Sequence, residues 1–268
     1  MVAQRSDISR KRIVYIGAER VGLACLKELI RLKKNVVAVF TADDSLKSKI
    51  ADFIPFDGAT GEIPLIKIKS TKSAETIKKI KEFNPELIFV ISWSQIIPKE
   101  ILDIPPLGCI GIHYSLLPER RGGAPLNWAI IDGLTKSGIT LFFMDEGIDT
   151  GDIIAQKEFE ISEEDTVKTL LDKICILAPQ LIKENIDSIE KGTAKRIKQD
   201  DTKATYTKRR RPQDGLIDWH KSLREIYNFI RALAPPYPCA FTFLGDKKLV
   251  ITKVSIKDSR LHIEGYIE

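Results

Sequence analysis

The sequence predicts an α/β fold with a mostly parallel, doubly wound sheet, followed by a small C-terminal β-rich appendage. Two observations carry this prediction. Short apolar strands alternate with amphipathic helices in the first third of the chain, and the strand at 86–92 is apolar on both faces. Continuous apolar strands are typical of a parallel sheet covered by helices, and a βαβαβ order leads to right-handed crossovers within one sheet.

The elements of this first part follow from hydrophobic periodicity and from turn residues. Strands are expected at 12–16, 35–40, 65–68 and 86–92, and helices at 21–32 and 74–82. A turn that contains Gly17 and Gly22 joins the first strand to the first helix. Its glycines do not have the spacing of a dinucleotide-binding loop, so we interpret it as a tight strand-to-helix turn.

The rest of the chain divides further. Residues 108–159 contain short strands joined by loops rich in glycine and proline, and a long amphipathic helix is expected over 165–191. Beyond a basic run, the tail has a predicted helix at 223–233 and predicted strands at 240–244, 249–256 and 261–266. The interpretation is an α/β core over 1–204 and a small unit over 205–268, whose strand edges favour a homodimer.

Composition narrows the class of protein. The 268 residues are 43% hydrophobic and 29% charged, with a net charge of +5, which is too small for a dedicated nucleic-acid binder. The four cysteines form no CxxC pair, so neither a zinc site nor a redox motif is expected, and no metal is predicted. The first twelve residues are polar, and no apolar run approaches the ~20 residues needed to cross a bilayer. We therefore expect a cytoplasmic protein without membrane segments.

His113 is the first candidate for chemistry. It ends a short strand, and ligands bind at the carboxyl ends of strands in open α/β sheets. An acidic turn at 142–152 contains Gly147 and Gly151, which would allow Asp149 to fold back over the sheet and orient the imidazole. Each feature also has a plainer interpretation, because a lone histidine is often a satisfied core residue and an acidic turn is usually solvated.

Three motifs carry a resemblance to a known family. They are HYSLLPERRGGAP at 113–125, GITLFFMDEGIDTGDIIAQ at 138–156 and SWSQIIPKEIL at 92–102. In this order they resemble the formyltransferases that use N10-formyltetrahydrofolate, whose Asp-Thr-Gly motif follows the histidine by some thirty-five residues. Asp149 lies 36 residues beyond His113. The resemblance runs over about 12–240 and implies formyl transfer from the folate to a primary amine.

The resemblance also implies roles for individual residues. His113 would be the general base, since its ordinary pKa of ~6.5 suits proton transfer near neutral pH. Asp149 would hold the imidazole tautomer and stabilise the imidazolium. The folate would contact two loops, which comprise Trp93, Ser94, Gln95 and Ile96 in the first and Met144, Asp145, Glu146, Gly147 and Ile148 in the second.

The sequence departs from the family at Gly111, where the family has an asparagine two residues before the histidine. That asparagine would donate to the developing oxyanion, and losing such a donor costs roughly a hundred- to a thousand-fold in turnover. Asn127, Gln95, Ser115 or a water beside Gly111 could replace it. Otherwise the protein is a slow or repurposed enzyme, or it binds its ligands without catalysis. We favour replacement of the donor.

The tail indicates an acceptor. The segment at 206–241 resembles the tail of sugar formyltransferases, which act on nucleotide-linked amino sugars of cell-surface polysaccharides, whereas initiator-tRNA formyltransferases carry a much longer barrel to grip RNA. The residues expected to contact the acceptor are Ser115, Arg121, Gly122, Asn127, Arg210 and Asp214. Two alternatives stay open: a formyltetrahydrofolate hydrolase that releases formate, and a degenerate protein that binds folate or a sugar nucleotide without turnover.

Overall fold

The protein is described by a computed structural model over residues 10–268. Residues 1–9 lie outside the described residues. The prediction that the first twelve residues carry no targeting signal therefore falls mostly outside them. A seven-stranded sheet has the order β3-β2-β1-β4-β5-β7-β8. Its strands are β1 (Ile13–Gly17), β2 (Val36–Ala42), β3 (Leu65–Ile68), β4 (Leu87–Ile91), β5 (Cys109–His113), β7 (Lys136–Phe143) and β8 (Ile153–Glu160), while β6 (Arg121–Gly122) pairs separately with β9 (Tyr206–Thr207).

The first five strands of the sheet are parallel, and β7 and β8 extend it as an antiparallel hairpin. The predicted α/β class with a mostly parallel sheet is therefore confirmed. The α-helices of the described residues are α1 (Arg20–Arg31), α2 (Ala74–Glu82), α3 (Lys99–Leu102), α4 (Pro125–Ile131), α5 (Val167–Glu190) and α6 (Leu223–Ala232). Helices α1 and α5 pack together over one face of the sheet, and α2 and α3 cover the other.

The region 108–159 differs from the expectation of short strands in loops. It contains α4 and the hairpin of β7 and β8, each eight residues long. Seven of the eight residues of β7 are buried, because β7 is an interior strand between β5 and β8. An interior strand needs apolar residues on both faces, so the run at 138–143 belongs to one long strand.

The C-terminal unit contains the predicted β-rich appendage. Its sheet is β10 (Ala240–Leu244), β11 (Lys247–Lys257) and β12 (Arg260–Ile267), all antiparallel, with α6 packed on β11. Two buried side chains join this unit to the core: Asn127 Nδ2 donates to the Ala232 carbonyl at 2.7 Å, and Arg231 donates to the Asp165 carbonyl at 2.6 Å. Such bonds satisfy polar groups that burial would otherwise penalise, so they hold the two units together.

Over residues 10–268, no helix combines the length and the hydrophobicity needed to cross a bilayer. Within the same range, no three His, Cys, Asp or Glu side chains converge as metal ligands would.

Candidate active site

His113 lies at the carboxyl end of β5, and only 8% of the residue is exposed. Its Nδ1 atom lies 3.5 Å from Oδ2 of Asp149, and its Nε2 atom lies 2.8 Å from the carbonyl oxygen of Arg120. Both facing groups are hydrogen-bond acceptors, so the ring nitrogen that carries the proton in the neutral imidazole decides which of the two groups it donates to. The structure thus brings together the histidine and the carboxylate that the sequence paired across 36 residues.

Asp149 reaches His113 because the turn between β7 and β8 is unusually tight. A Cβ at Gly151 would lie 1.7 Å from the Phe143 carbonyl oxygen, and a Cβ at Gly147 would lie 1.9 Å from the Thr150 hydroxyl. Asp149 itself takes a left-handed backbone conformation with φ of 55°. The two glycines permit the close approach, and the aspartate adopts a conformation that L residues rarely take without support.

Two contacts supply that support. The Gly122 N–H donates to Oδ2 of Asp149 at 2.8 Å, which fixes the carboxylate. The side-chain amide of Gln199 donates to the Asp149 carbonyl at 2.8 Å and to the Gly151 carbonyl at 2.7 Å. No motif in the sequence points to Gln199, because its amide nitrogen donates to backbone carbonyls and its segment between α5 and β9 has no periodic pattern.

Gly111 lies two residues before His113 on the same face of β5. A Cβ at this position would lie 3.0 Å from the ring of Phe142 and 3.3 Å from Cγ of Met144. The side chains expected to replace the missing amide all bond to backbone groups. Asn127 donates to the Ala232 carbonyl, and Ser115 donates to the Glu119 carbonyl. Gln95 donates to the Lys69 carbonyl and accepts from Thr71 N. In this conformation all three candidate donors are engaged elsewhere, and apolar atoms border the space beside Gly111.

The two loops expected to contact folate lie next to each other. Trp93 and Met144 pack against the same apolar cluster, and Lys99, the first residue of α3, forms an ion pair at 2.8 Å with Glu146 of the second loop. Ile96 is 67% exposed and Ile148 is 59% exposed. Apolar side chains are thus presented to solvent from both loops. Ser94 is exposed, and Asp145 accepts from Gly147 N and from the Thr150 hydroxyl.

The residues expected to contact the acceptor differ in burial and do not all lie near the His113–Asp149 pair. Gly122 and Ser115 lie beside the His113–Asp149 pair, and Ser115 is buried. Asn127 is buried at the junction of the two units, and Asp214 is exposed. Arg121 is 2% exposed and bonded to Gln199, Asp201 and Tyr206.

Arg210 is packed as well. Its guanidinium lies 5.1 Å from the ring centroid of Trp128 and 5.2 Å from that of Phe229, and it donates to the Asp214 carbonyl. Burial lowers the pKa of Arg210. Cation–π contacts on two rings favour a packing role for this side chain. The flanking residues Arg209 and Arg211 are exposed.

A second cluster of titratable groups lies near the carboxyl ends of β1, β4 and β5. Burial, with a smaller contribution from Asp52, raises the pKa of Glu19 to about 7. Burial also raises the pKa of Tyr114, whose hydroxyl is hydrogen bonded to that of Ser92. Tyr237 of the C-terminal unit packs against the core here, and burial raises its pKa too. No motif in the sequence points to Glu19.

Comparison with known proteins shows which family the chain matches. Residues 11–186 match the family described as formyl transferase, and residues 210–265 match the formyl transferase C-terminal domain. A methionyl-tRNA formyltransferase of Geotalea daltonii is 37% identical over 251 residues, which are 92% of this chain and 80% of that protein.

Solved structures are similar over nearly the whole chain. A methionyl-tRNA formyltransferase from Clostridium thermocellum has a TM-score of 0.68 and 26% identity, covering 96% of this chain and 98% of the other. A sugar N-formyltransferase from Shewanella sp. has a TM-score of 0.71 and 22% identity, covering 91% and 97%, and it shows likeness in fold. With both family domains matched in order and the His113–Asp149 pair in place, this chain belongs to the formyltransferase family.

Proposed function

We propose that this chain transfers the formyl group of N10-formyltetrahydrofolate to a primary amine, with His113 as the general base and Asp149 as its partner. The observation that carries the proposal is the approach of His113 Nδ1 to Asp149 Oδ2 at 3.5 Å, at the carboxyl end of an interior strand. A carboxylate in this position fixes the imidazole tautomer and stabilises the imidazolium that forms on proton transfer.

The chain's own residues account for the movement of the proton. When bound, the folate would supply the formyl carbon; the bond from that carbon to N10 would break, and N10 would take up the proton that His113 has accepted. The attacking amine must lose a proton as its bond to that carbon forms, and His113 accepts it. In the present conformation Nε2 of His113 faces the Arg120 carbonyl at 2.8 Å, so we expect the acceptor amine to take the place of that carbonyl.

The two loops, at 93–96 and 144–148, fit a folate. Ile96 and Ile148 offer exposed apolar surface of the kind that covers an aromatic ring. The indole Nε1 of Trp93 is buried and has no hydrogen-bond partner among the described residues. An unpaired buried N–H is costly, and a ligand acceptor would satisfy it. These residues would hold the folate, and the chemistry remains with His113 and Asp149.

The acceptor we propose first is a nucleotide-linked amino sugar. The basic segment 208–211 lies beside the catalytic pair: Arg209 packs against Gly123, next to the residue that bonds Asp149, and the Lys208 carbonyl accepts from Trp128. Exposed arginine side chains in this segment suit the binding of a diphosphate.

Methionyl-tRNA is the second candidate, and a specific observation favours it. The relative from Geotalea daltonii is named for that substrate and is 37% identical over 92% of this chain. The aminoacyl end of a tRNA also presents a primary amine and phosphates, so the segment 208–211 would serve either acceptor.

One assay separates these functions. The purified chain is incubated with N10-formyltetrahydrofolate and either a panel of nucleotide-linked amino sugars, methionyl-tRNA, or no amine. Products are identified by the mass of an added formyl group, and free formate is measured in parallel. A formylated sugar supports the first acceptor and formyl-methionyl-tRNA the second. Formate without an amine indicates a hydrolase, and folate binding without any product indicates a binding protein.

Variants tie any activity to the site. His113→Gln and Asp149→Asn should abolish or severely reduce product formation while the folate-binding loops stay intact. Product formation that is unchanged in both variants would contradict the proposed mechanism.

A further inference from the structure

A closed ring of hydrogen bonds surrounds the backbone of Asp149. The amide nitrogen of Gln199 donates to the carbonyls of Asp149 and Gly151, at 2.8 and 2.7 Å. Its amide oxygen accepts two bonds from the guanidinium of Arg121, at 3.0 Å from Nε and 2.8 Å from Nη2. Gly122, which follows Arg121 in the chain, closes the ring through its N–H to Oδ2 of Asp149 at 2.8 Å.

Arg121 is almost completely buried, with only 2% of the residue exposed, which is unusual for an arginine. A buried cation is costly unless it is paired and its donors are satisfied. Here Asp201 lies 2.7 Å from Nη2, and the Tyr206 hydroxyl accepts from Nη1 at 3.1 Å. The guanidinium fork presented to Gln199 is therefore fixed, and so is the orientation of the Gln199 amide.

This rigidity matters at Asp149. The residue holds φ of 55°, a left-handed conformation that L residues seldom adopt without support, and the neighbouring glycines do not restrain the turn. Both carbonyls that flank Thr150 depend on one donor group, the Gln199 amide. Without that group, nothing else among the described hydrogen bonds holds the Asp149 carbonyl.

We propose that Gln199, oriented by Arg121, is a positioning residue that sets the Asp149 backbone so that the carboxylate faces His113. The inference rests on the proposed function for its effect on turnover. Misplacing a catalytic group by about 1 Å costs on the order of a hundred-fold in rate. Arg121 then acts on the reaction through Gln199 rather than through the acceptor.

The experiment is a double-mutant cycle on kcat with Gln199→Ala and Asp149→Asn. We expect Gln199→Ala to lower kcat about thirty- to a hundred-fold in the wild-type background, with the KM values of both substrates within about two-fold. In the Asp149→Asn background the same change should lower kcat by less than about three-fold, because the group that it positions is already lost. Additive effects in the two backgrounds would overturn the proposal.

Two further variants exclude a purely structural role. Gln199→Glu keeps an acceptor for Arg121 but cannot donate to the carbonyls of Asp149 and Gly151, so it should restore Tm without restoring kcat. Asn228→Ala is the matched control, since the Asn228 amide oxygen also accepts from a buried arginine, Arg231, at 3.0 Å. It should lower Tm comparably and leave kcat within about two-fold. Recovery of kcat in Gln199→Glu would contradict positioning.

A readout independent of turnover keeps the inference separate from the proposed function. The imidazole NMR signals of His113 are assigned by their loss in His113→Gln. Gln199→Ala and Asp149→Asn should shift these signals in the same direction, whereas Asn228→Ala should leave them unchanged. If wild type forms no product, the proposed function fails while the NMR comparison still decides the positioning role. Unshifted His113 signals in Gln199→Ala would refute that role.

Discussion

The ring of Phe142 lies directly against Gly111, where any larger residue would place its Cβ. The register of β5 and β7 sets these two residues opposite each other, and the hypothetical Cβ would lie 3.0 Å from Cε1 and 3.2 Å from Cζ of the ring. Only 3% of Phe142 is exposed. The position from which the resemblance expects an oxyanion donor is therefore closed by a packed aromatic ring.

This relationship predicts how the donor can be restored. Gly111→Asn alone should be destabilising by about 1–3 kcal/mol, because it overpacks a filled site, and should raise kcat little. Gly111→Asn with Phe142→Leu removes the ring atoms that meet the new side chain, so kcat should rise about ten-fold or more over wild type. Tm and single-turnover rates measure the two effects. A double variant no faster than Phe142→Leu alone would show that the site uses another donor.

Asp149→Asn should fold as wild type does and lose about three orders of magnitude in kcat. The amide can still accept from Gly122 N, at 2.8 Å in wild type, but it no longer stabilises an imidazolium. Asp152→Asn is the matched control, an acid of the same turn whose partner Arg196 lies 3.6 Å away and is exposed. Its kcat should stay within about two-fold of wild type. Initial rates at saturating substrate test both, and equal losses would remove Asp149 from the mechanism.

The three arginines at 209–211 should separate into two roles. Arg209→Ala with Arg211→Ala should raise KM for a phosphate-bearing acceptor about ten-fold and leave Tm unchanged, since both side chains are exposed. Arg210→Ala should instead lower Tm, because it removes the cation stacked on Trp128 and Phe229. Steady-state kinetics and thermal unfolding report the two effects. A KM increase confined to Arg210→Ala would reverse this assignment.

Local signals made much of the fold predictable. The helix expected over 74–82 has those bounds in the structure, because Ser73 caps it by accepting from Thr76 N and the apolar positions recur at helical spacing. The antiparallel pairing of β5 with β7 carries no such signal. Register depends on which strands become neighbours, and this is a long-range outcome of packing.

In the candidate site, too, residues marked by local motifs could be predicted, and those that depend on long-range contacts could not. His113 and Asp149 could be predicted because each belongs to a motif with distinctive neighbours. Gln199 could not, since its role arises from bonds to backbone carbonyls that lie 48 and 50 residues away in the chain. The sequence also did not predict that the space beside Gly111 is filled. That result depends on the register of β5 and β7, which places the ring of Phe142 opposite Gly111.

Glu19 should make the stability of the fold depend on pH. Its pKa is raised from 4.5 to about 7 in the folded chain, first by burial and then by Asp52. Below about pH 4.5 the carboxyl is protonated in both states. As the pH rises from about 4.5 to 7, the unfolded chain releases this proton first, so the folded state loses stability, and the loss is complete above about pH 7.

Glu19→Gln removes the titrating group and should therefore raise Tm relative to wild type by at least about 3 °C at pH 8, with little difference at pH 4. Glu28→Gln, in the helix α1 that follows Glu19, is the control with the opposite sign. The hydrogen bond from Arg31 lowers the pKa of Glu28, so its ionised form stabilises the fold above about pH 4.5, and the variant should be less stable than wild type at pH 8. Thermal unfolding from pH 4 to 8 measures both differences. A Glu19→Gln curve parallel to wild type would mean that Glu19 is ionised in the folded protein at neutral pH, which would contradict the raised pKa.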